Sequence, residues 1–455
     1  MTSAADKRPY AVIVGLGRTG LSAARYLRTQ GWRLAVTDTR SAPPELAALT
    51  ALDERIPVRL GALDAALLDE ALCVVASPGV PLTAPFFAEA RRRGLEIVGD
   101  IELFARAADA PVAGVTGTNG KSTVTTLLAR MAERAGLKVR AGGNLGEPAL
   151  DLLAPGTALY VLELSSFQLE TTTHLECRAA TVLNVTADHL DRYASIGEYA
   201  AAKARIFARC DTAVVNLDDP LVVAMPRAAR RTLSFSLRAA VGADYSVAEV
   251  AAVAAVAGRE GGWWLTRAGT PLLPVAELRI KGLHNAANAL AALALGEALE
   301  LPLASMLEEL REFPGLPHRA QWVAEVRGVT YVNDSKGTNV GATLAAVGGM
   351  AGPLVMIAGG DGKNQDFAPL AAAFRGKVRH AVLIGRDAPA IARALTGVCI
   401  LEVCATLEEA VHAAARAARP GDTVLLSPAC ASLDMFRDYT QRGAVFTRAV
   451  RELAA

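Results

Sequence analysis

The sequence predicts an α/β protein of three domains, each built on a mostly parallel sheet. Short apolar runs meet a glycine turn and then a helical pattern, at Tyr10–Val14 and again from Val112. This alternation is typical of parallel strands joined by crossover helices. The chain has 455 residues, and domains average about 150 residues. Because proline-containing segments lie at 109–111 and 313–317, we expect domains at 1–109, 110–315 and 316–455.

Composition and charge exclude several classes of protein. Apolar residues make up 52% of the chain, which is enough for folded cores. Lysine and arginine (47) balance aspartate and glutamate (46), so coating nucleic acid or an anionic membrane is not the expected role. No apolar run approaches the ~18 residues of a membrane span, although the alanine-rich stretches 248–257 and 286–299 come nearest.

The termini and cysteines indicate a cytoplasmic location. The polar residues before Tyr10 lack the apolar centre of a secretory signal. The six cysteines are scattered and form no C-x-x-C pair. We therefore expect reduced thiols in the cores, and no metal site made of cysteine.

A glycine motif opens the first domain. Gly15-x-Gly17-x-x-Gly20 follows the first strand and begins a helix that runs to about residue 30, and Asp38 ends the second strand. These glycines let a phosphate approach a helix N-terminus, which is the dinucleotide-binding pattern of a Rossmann-like domain. The motif alone does not distinguish NAD from a UDP-sugar, and a tight strand–helix turn is the alternative.

A second glycine loop opens the central domain. Thr116-Gly117-Thr118-Asn119-Gly120-Lys121-Ser122-Thr123 lies between an apolar strand and a helix at about 120–135. Backbone N–H groups in such a loop cradle phosphates, lysine neutralises their charge, and a hydroxyl binds Mg²⁺. Val115 occupies the position of the first glycine in the strict motif, so this is a variant. We predict a P-loop ATPase-like domain with strands near 158–162 and 180–184 and a small antiparallel part at 240–280.

Two further strand ends in this domain carry candidate metal ligands. Glu163 ends one strand, and Asp188-His189 follows another. Oxygen atoms of Glu163 and Ser122 suit Mg²⁺, and His189 can add a nitrogen ligand to a second ion. A lone histidine is more often structural, but its place after a strand end favours the ligand role.

Polar pairs near the end of the central domain indicate nucleotide recognition. His284-Asn285-x-x-Asn288 starts a helix and puts both asparagines on one face. They can read a base edge, or one can simply cap the helix. Arg319, just after the 313–317 segment, can reach phosphates from the next domain.

The third domain is predicted to be Rossmann-like, with a hairpin followed by parallel strands. Segments 321–326 and 329–333 are divided by Arg327-Gly328, and further strands are expected near 353–358, 379–384 and 423–427. Polar loops follow three of these strands, at 333–339, 359–363 and 427–436. Since ligands bind at the carboxyl ends of parallel strands, we expect an anion-binding edge, although each loop alone could be a solvated turn.

Taken together, these motifs resemble those of the Mur ligase family, the ATP-dependent amino-acid ligases of peptidoglycan precursor synthesis. The resemblance covers all three domains and rests on the loop at 116–123, the His-Asn-x-x-Asn and His-Arg motifs, and segments 163–170, 333–339 and 427–434. It implies a cytoplasmic ligase that joins D-glutamate to UDP-N-acetylmuramoyl-L-alanine through an acyl phosphate. It also implies ATP as co-substrate, two Mg²⁺ ions, no nucleic-acid or membrane partner, and a monomer.

The resemblance also implies roles for individual residues. The ATP-binding residues would be Gly117, Thr118, Asn119, Gly120, Lys121, Ser122, Thr123, Asn285, Asn288, Arg319, Asp334 and Lys336. The first domain would bind the UDP moiety, rather than NAD, through Thr19, Asp38, Thr39, Arg40 and Gly79, with Asn144 on the muramoyl side. The glutamate would contact Thr338, Lys363, Ser432, Leu433 and Tyr439, a tyrosine where the family pattern has phenylalanine.

The catalytic set implied by the resemblance overlaps the metal set. Lys121, Glu163, His189 and Lys203 would be catalytic, and the metal ligands would be Ser122, Glu163, His189 and a carbamylated Lys203. A carbamate turns this lysine into an oxygen donor, whereas an unmodified ammonium beside phosphate is the alternative. ATP between the second and third domains, with glutamate on the third, predicts a hinge near 313–317 that closes on substrates.

Other functions remain open on the sequence alone. A folylpolyglutamate-type ligase or another peptidoglycan step would share this architecture. An NAD-dependent oxidoreductase would explain Gly15 to Gly20 and Asp38, but neither the second glycine loop nor the third domain. An ATP-binding regulatory module would bind nucleotide without turnover.

Overall fold

The computed structural model of the chain describes residues 8–144, 146–250, 262–280, 282–350 and 352–454. Most of the polar N-terminal segment and of the alanine-rich stretch 248–257 therefore lies outside the described residues. Within the described part, no helix is long and apolar enough to cross a membrane. Three sheets organise the chain, as predicted.

The first sheet has five parallel strands in the order β3-β2-β1-β4-β5. Its strands are β1 (Tyr10–Val14), β2 (Arg33–Asp38), β3 (Val58–Leu60), β4 (Cys73–Ala76) and β5 (Glu96–Val98). Its helices are α1 (Arg18–Thr29), α2 (Leu46–Leu52), α3 (Pro85–Arg92) and α4 (Asp100–Ala107). The short β3 and β5 flank the continuous apolar strands that the sequence predicted.

The middle sheet has nine strands in the order β14-β13-β12-β11-β10-β9-β6-β8-β7. They are β6 (Val112–Thr116), β7 (Val139–Gly143), β8 (Leu159–Glu163), β9 (Cys177–Val182), β10 (Cys210–Asn216), β11 (Arg231–Ser236), β12 (Tyr245–Val250), β13 (Gly262–Arg267) and β14 (Thr270–Pro274). The helices are α5 (Lys121–Arg134), α6 (Ser166–Glu170), α7 (Ile196–Ala204), α8 (Pro220–Val223), α9 (Leu283–Ala298) and α10 (Leu303–Glu312). Among the described strands of this sheet, only the pairings of β13 with β12 and β14 are antiparallel, which confirms the predicted small antiparallel part.

The third sheet has six strands in the order β15-β16-β20-β17-β18-β19. They are β15 (Gln321–Val326), β16 (Val329–Asn333), β17 (Leu354–Gly359), β18 (Val378–Ile384), β19 (Ile400–Val403) and β20 (Thr423–Leu426). The helices are α11 (Val340–Gly349), α12 (Ala368–Phe374), α13 (Ala388–Ala394), α14 (Leu407–Ala417) and α15 (Tyr439–Ala454). The predicted hairpin of β15 and β16 is confirmed, and the other pairings are parallel.

The hydrophobic cores divide the molecule unevenly. One core cluster combines side chains of the first and middle sheets, and the rings of Phe104 and Tyr160 meet edge to face with centroids 5.1 Å apart. The two clusters around the third sheet contain only residues beyond 320 and Ala320 itself. The six cysteines are free thiols, four of them buried, in agreement with the prediction of unbridged cysteines.

Candidate active site

The phosphate loop, residues 117–120, joins β6 to α5 at the carboxyl edge of the middle sheet. Gly120 has φ +85° and directly precedes the helix, and a Cβ there would lie 2.4 Å from Oδ1 of Asn288. This left-handed backbone, with so little space, requires glycine. The Lys121 ammonium donates to the carbonyl oxygens of Gly117 and Thr118, both at 2.8 Å. The lysine thus lies over the loop where an incoming phosphate would meet it.

Neighbouring strand ends hold this loop in place. The backbone N–H of Asn119 donates to Oδ1 of Asn184 (2.8 Å), and the N–H of Thr118 donates to the carbonyl of Asn184 (2.9 Å). Asn184 follows β9, so the sheet itself fixes the loop. The sequence analysis missed Asn184; its position directly after an apolar strand was the available signal.

Glu163 provides a buried carboxylate beside the loop. It ends β8 and is 3% exposed. Its Oε1 accepts from Nδ2 of Asn144 at 2.7 Å, whereas its buried Oε2 has no hydrogen-bond partner. Burial raises the pKa of Glu163, but the Lys121 charge, the nearby Ser122 hydroxyl and the hydrogen bond from Asn144 outweigh it and hold the pKa below its usual value. An orphaned carboxylate oxygen near a hydroxyl fits a hard cation such as Mg²⁺.

Lys203 is a buried lysine that contacts the same loop. It is 1% exposed, donates from Nζ to the Gly117 carbonyl at 2.9 Å, and lies 4.3 Å from the ring centre of Tyr199. Burial and the nearby Lys121 charge lower the pKa of Lys203 well below its usual value. The protein thus destabilises the ammonium form of this lysine.

His189 lies in an aromatic cluster and is neutral at physiological pH. Burial lowers the pKa of His189 to about 4, despite the Asp188 charge. Its ring meets Phe167 edge to face at 5.0 Å, and its backbone has φ +56°. A neutral imidazole can be a metal ligand. Within the described ranges, however, no cluster of three His, Cys, Asp or Glu side chains could hold a metal ion by itself, so the predicted two-ion site stays a prediction.

A cavity of about 240 Å³ opens beside the phosphate loop, between the start of α9 and the third domain. Eight predicted ATP-binding residues line it: Asn119, Gly120, Thr123, Asn285, Asn288, Arg319, Asp334 and Lys336. Asn288 donates from Nδ2 to Oδ1 of Asn285 at 3.1 Å, so the two amides form one polar wall. The sequence analysis missed Asn216 and Phe235, which also line the cavity from the ends of β10 and β11.

Three charged residues of the third domain reach this cavity. Arg319 is half-buried and donates from Nη2 to Oγ of Ser122 at 2.7 Å, and burial lowers its pKa. Asp334 accepts from Ser427 Oγ (2.7 Å), and burial raises its pKa to about 6. Burial, together with the charges of Arg319 and Lys121, lowers the pKa of Lys336 to about 8. The third domain thus contributes charged side chains to the wall of this cavity.

The structure brings some, but not all, of the predicted glutamate-binding residues close to one another. Lys363 donates from Nζ to Oδ1 of Asp188 at 3.0 Å, which places it beside the middle domain. A bridge between Asp361 and Ala431 brings the neighbouring loops together, with Ser432 buried and Leu433 71% exposed. Thr338 is half-buried between Gly337 and the start of α11.

Tyr439 and Arg442 lie on the other side of the same loops. The Lys336 ammonium is 3.9 Å from the ring centre of Tyr439, so this predicted glutamate residue contacts a side chain that lines the cavity. Arg442 was not predicted. It is 1% exposed and donates to the carbonyls of Ser335 and Cys430 at 2.8 and 3.1 Å, which ties both polar loops to α15.

The predicted UDP residues follow β1, β2 and β4 at the carboxyl edge of the first sheet. Asp38 is buried, accepts from the Leu16 and Arg40 backbone N–H groups at 2.7 and 2.8 Å, and pairs with the Arg40 guanidinium at 2.6 Å. Burial raises the pKa of Asp38, but these bonds outweigh it and hold the pKa at about 2. Of the other predicted residues, Thr39, Arg40 and Gly79 are exposed and Thr19 is half-buried.

Both oxygens of Asp38 are therefore already bonded within the protein. A carboxylate that binds the ribose of NAD needs a free acceptor at this position. This arrangement favours the UDP interpretation of the glycine motif over the NAD interpretation.

Comparisons with known proteins identify the class. The sequence models of three Mur ligase domains match this chain: the MurD-like N-terminal domain at 9–99, the middle domain at 115–296 and the glutamate ligase domain at 318–430. The chain belongs to the Mur ligase family.

Similar proteins narrow this class further. The chain is 52% identical over 447 residues to the UDP-N-acetylmuramoylalanine–D-glutamate ligase of Methylobacillus flagellatus, covering 97% of this chain and 96% of that protein. It is 51% identical over 445 residues to the protein of the same name from Nitrosococcus oceani, with 97% and 96% coverage.

Solved structures share the fold at low identity. UDP-N-acetylmuramate-alanine ligase MurC from Thermotoga maritima aligns with a TM-score of 0.61 at 19% identity, covering 97% of this chain and 99% of that chain. A pseudomurein peptide ligase from Methanothermus fervidus aligns with a TM-score of 0.58 at 18% identity, covering 98% and 100%.

Proposed function

We propose that this chain is the ATP-dependent ligase that adds D-glutamate to UDP-N-acetylmuramoyl-L-alanine in peptidoglycan precursor synthesis. The observation that carries the proposal is identity of about half over nearly the whole chain to proteins named for this reaction. The convergence of the phosphate loop, Glu163 and the third-domain residue Arg319 on one point supports it. ATP and the UDP-linked acceptor are cytoplasmic metabolites, so we also propose a cytoplasmic enzyme.

The chemistry proceeds in two steps. The acceptor carboxylate attacks the γ-phosphorus of ATP, the bond to the β-phosphate oxygen breaks, and an acyl phosphate and ADP form. Lys121 and Arg319 offset negative charge as the phosphoryl group is transferred. The glutamate amine then attacks the acyl carbon, loses a proton and displaces inorganic phosphate, leaving an amide. The protein contributes mainly positioning and fixed charge.

Ser122, Glu163 and His189 would hold the two Mg²⁺ ions, with Lys203 as a carbamate. Mg²⁺ supplies charge neutralisation at the phosphates. The carbamate forms when the uncharged amine bonds to CO₂ and releases one proton. The buried setting that lowers the pKa of Lys203 favours that uncharged amine. We expect CO₂-depleted buffer to lower activity and ¹³CO₂ to add a carbamate signal that Lys203→Ala lacks.

The three domains of one chain supply all the proposed site residues, which supports a monomer. Analytical ultracentrifugation of the purified protein tests this, and a dimer at working concentration would contradict it.

Phosphate release from ATP tests the reaction. We expect release only when UDP-N-acetylmuramoyl-L-alanine and D-glutamate are both present, and none with L-glutamate, D-aspartate or meso-diaminopimelate. Release with another amino acid would keep the mechanism but assign a different peptidoglycan step. ATP binding without release for any acceptor would favour the regulatory-module interpretation.

Matched lysine variants place the chemistry at the phosphate loop. Lys121→Ala removes the charge over the loop, and we expect activity to fall by about three orders of magnitude. Lys138→Ala is the control, because that exposed lysine only donates to the Pro155 carbonyl at 2.9 Å. Equal activity in the two variants would contradict the assignment.

A further inference from the structure

Asn339 joins three parts of the candidate site through one buried side chain. It is 2% exposed and is the N-cap of α11, where its Oδ1 accepts from the backbone N–H of Ala342 at 2.8 Å. This bond fixes the amide to the helix that begins directly after Thr338. The sequence analysis included Asn339 in a motif but gave it no role.

The same amide reaches across to the middle domain. Its Nδ2 donates to Oδ1 of Asn119 at 3.2 Å, and Nδ2 of Asn119 donates back to its Oδ1 at 3.3 Å. Asn119 belongs to the phosphate loop. Nδ2 of Asn339 also lies 3.3 Å from Oδ2 of Asp188, which precedes His189.

Asp188 extends this chain of contacts to the glutamate side. Its second oxygen, Oδ1, accepts from Lys363 Nζ at 3.0 Å. Asp188 is 6% exposed, so each carboxylate oxygen takes one donor from the third domain away from bulk water. Hydrogen bonds thus connect the phosphate loop, Asn339, Asp188 and Lys363 in series.

We propose that Asn339 is a positioning residue that couples occupancy of the phosphate loop to alignment of the glutamate-binding residues. The inference rests on the proposed function. A shift of the loop on ATP binding moves Asn119, and the paired amides carry that shift to α11 and Thr338. Because Asn339 is buried and Asn119 is half-buried, breaking the pair leaves polar groups of Asn339 unsatisfied, which makes the coupling energetically significant.

Asn339→Ser separates coupling from helix capping. Serine keeps an acceptor for the helix N-terminus but is too short to reach Asn119 or Asp188. We expect the KM for D-glutamate to rise about tenfold or more, while the KM for the UDP-linked acceptor changes less than about twofold. The melting temperature should fall only slightly, because the helix keeps its cap while the amide pair is lost. Asn339→Asp should be worse, because it sets a second carboxylate against Asp188.

Thr406→Ala is the matched control for capping. Thr406 caps α14 by accepting from the Glu409 N–H at 3.1 Å, on an exposed surface outside the site. This variant should lower the melting temperature and leave every KM unchanged. If Asn339→Ser has the same KM for D-glutamate as the wild type, the coupling proposal is wrong. The proposed function would still stand in that case, provided that the wild-type enzyme catalyses the proposed reaction.

A double-mutant cycle identifies the partner. If the amides act as a pair, adding Asn119→Ala to Asn339→Ser should raise the glutamate KM at saturating ATP little further. Independent, multiplying effects would overturn the coupling.

Hydrogen exchange tests the coupling without turnover. A non-hydrolysable ATP analogue should slow amide exchange in α11 of the wild type but not of Asn339→Ser. Unchanged exchange in wild-type α11 with the analogue bound would overturn the proposal. This test needs no turnover, so its outcome does not depend on which reaction the enzyme catalyses.

Discussion

Positive charge gathers around the phosphate loop without a matching number of carboxylates. The cations are Lys121, Lys336, Arg319 and Lys363, and burial and the Arg319 charge lower the pKa values of both Lys121 and Lys336. Glu163, Asp188 and Asp334 are the nearby carboxylates that partly offset them. Such a deficit favours a polyanion, and the γ-phosphate of ATP would supply the missing charge.

Lys336 gives this electrostatic argument a testable pH dependence. Its pKa is about 8, and a phosphate beside the ammonium would raise it, so ATP binding takes up a proton above that pH. ATP affinity should therefore fall by up to about tenfold from pH 7 to pH 9. Isothermal calorimetry measures this, and Lys336→Arg should flatten the profile. An equally steep profile in the arginine variant would refute the assignment.

Asp100 is a buried acid outside the reacting centre. It begins α4, accepts from Gln168 Nε2 at 3.1 Å, and leaves Oδ1 without a partner. Burial raises the pKa of Asp100 to about 6. The Asp100 carboxyl group therefore binds its proton more tightly in the folded state than in the unfolded chain. The free energy of unfolding should fall as pH rises from about 4 to 6 and should stay reduced above pH 6.

Asp100→Asn removes the free-energy cost of ionising a buried carboxyl group and keeps an oxygen that accepts from Gln168. At pH 8 the variant should be more stable than the wild type by up to about 3 kcal/mol, and near pH 4 the two should be similar. Urea unfolding at both pH values measures the difference. The same difference at both would show that ionisation of Asp100 is not the cause.

At the scale of elements, the start of α5 depends on a glycine that two constraints fix together. Gly120 has φ +85°, and a Cβ would meet Asn288. Gly136, after the same helix, has φ +87° with nothing within 4 Å of a Cβ. Substituting alanine at each of these two glycines distinguishes backbone strain, which both variants have, from a clash with Asn288, which only Gly120→Ala has.

Gly120→Ala should therefore lose both stability and nucleotide binding. We expect Gly136→Ala to cost about 1 kcal/mol of stability, as a strained backbone does, with ATP affinity unchanged. Gly120→Ala should cost more and weaken ATP binding at least about tenfold, because Asn288 must move. Thermal unfolding and calorimetry of both variants check this, and equal ATP affinity in the two would contradict it.

The elements that sequence could predict are those with a continuous apolar run and a turn signal. β1 and β6 have both, and each leads into the glycine loop and helix that the motifs indicated. β3 and β19 are short edge strands whose residues are largely half-buried or exposed. No apolar run marks β3, whereas β19 overlaps the apolar run at 398–401, which the sequence analysis did not identify as a strand. Their place in a sheet comes from pairing with a neighbour.

The site divides in the same way. Glu163 and Lys121 could be predicted because strand ends and helix starts are local features of sequence. Phe235 lines the nucleotide cavity only because β11 lies beside β10 in the sheet order. The Asn119–Asn339 pair joins residues of different domains that lie 220 positions apart in the sequence. A local sequence pattern cannot predict such a contact.

At the scale of the whole molecule, the first and third domains attach to the middle one differently. The first shares a hydrophobic core with it, and buried Glu102 accepts from the backbone N–H groups of Thr173 and His174 at 2.7 and 3.0 Å. Helix α11 of the third domain packs near α9. The polar contacts between the third and middle domains include Arg319–Ser122, Asn339–Asn119, Asn339–Asp188 and Lys363–Asp188. Those side chains are the ones that substrates would engage.

This difference predicts that the third domain moves while the first two stay together. Without ATP, Lys121, Arg319 and Lys336 repel one another across the cavity, so the free protein should sample more open positions about the predicted hinge at 313–317. A bound ATP analogue neutralises that repulsion and should draw the third domain in. We expect the radius of gyration from small-angle scattering to decrease on adding the analogue and the acceptor.

Spin labels locate the motion within the molecule. With Cys399 and Cys404 replaced by serine, labels at exposed Leu137 and Arg375 report on the middle and third domains. A second pair at Glu70 and Leu137 reports on the first and middle domains. Substrates should narrow and shorten the first distance distribution and leave the second unchanged, because a shared core holds that pair. A constant radius of gyration with both distributions unchanged would mean that the third domain is held in place by its packing against α9, and that repulsion among these cations is too weak to open the hinge.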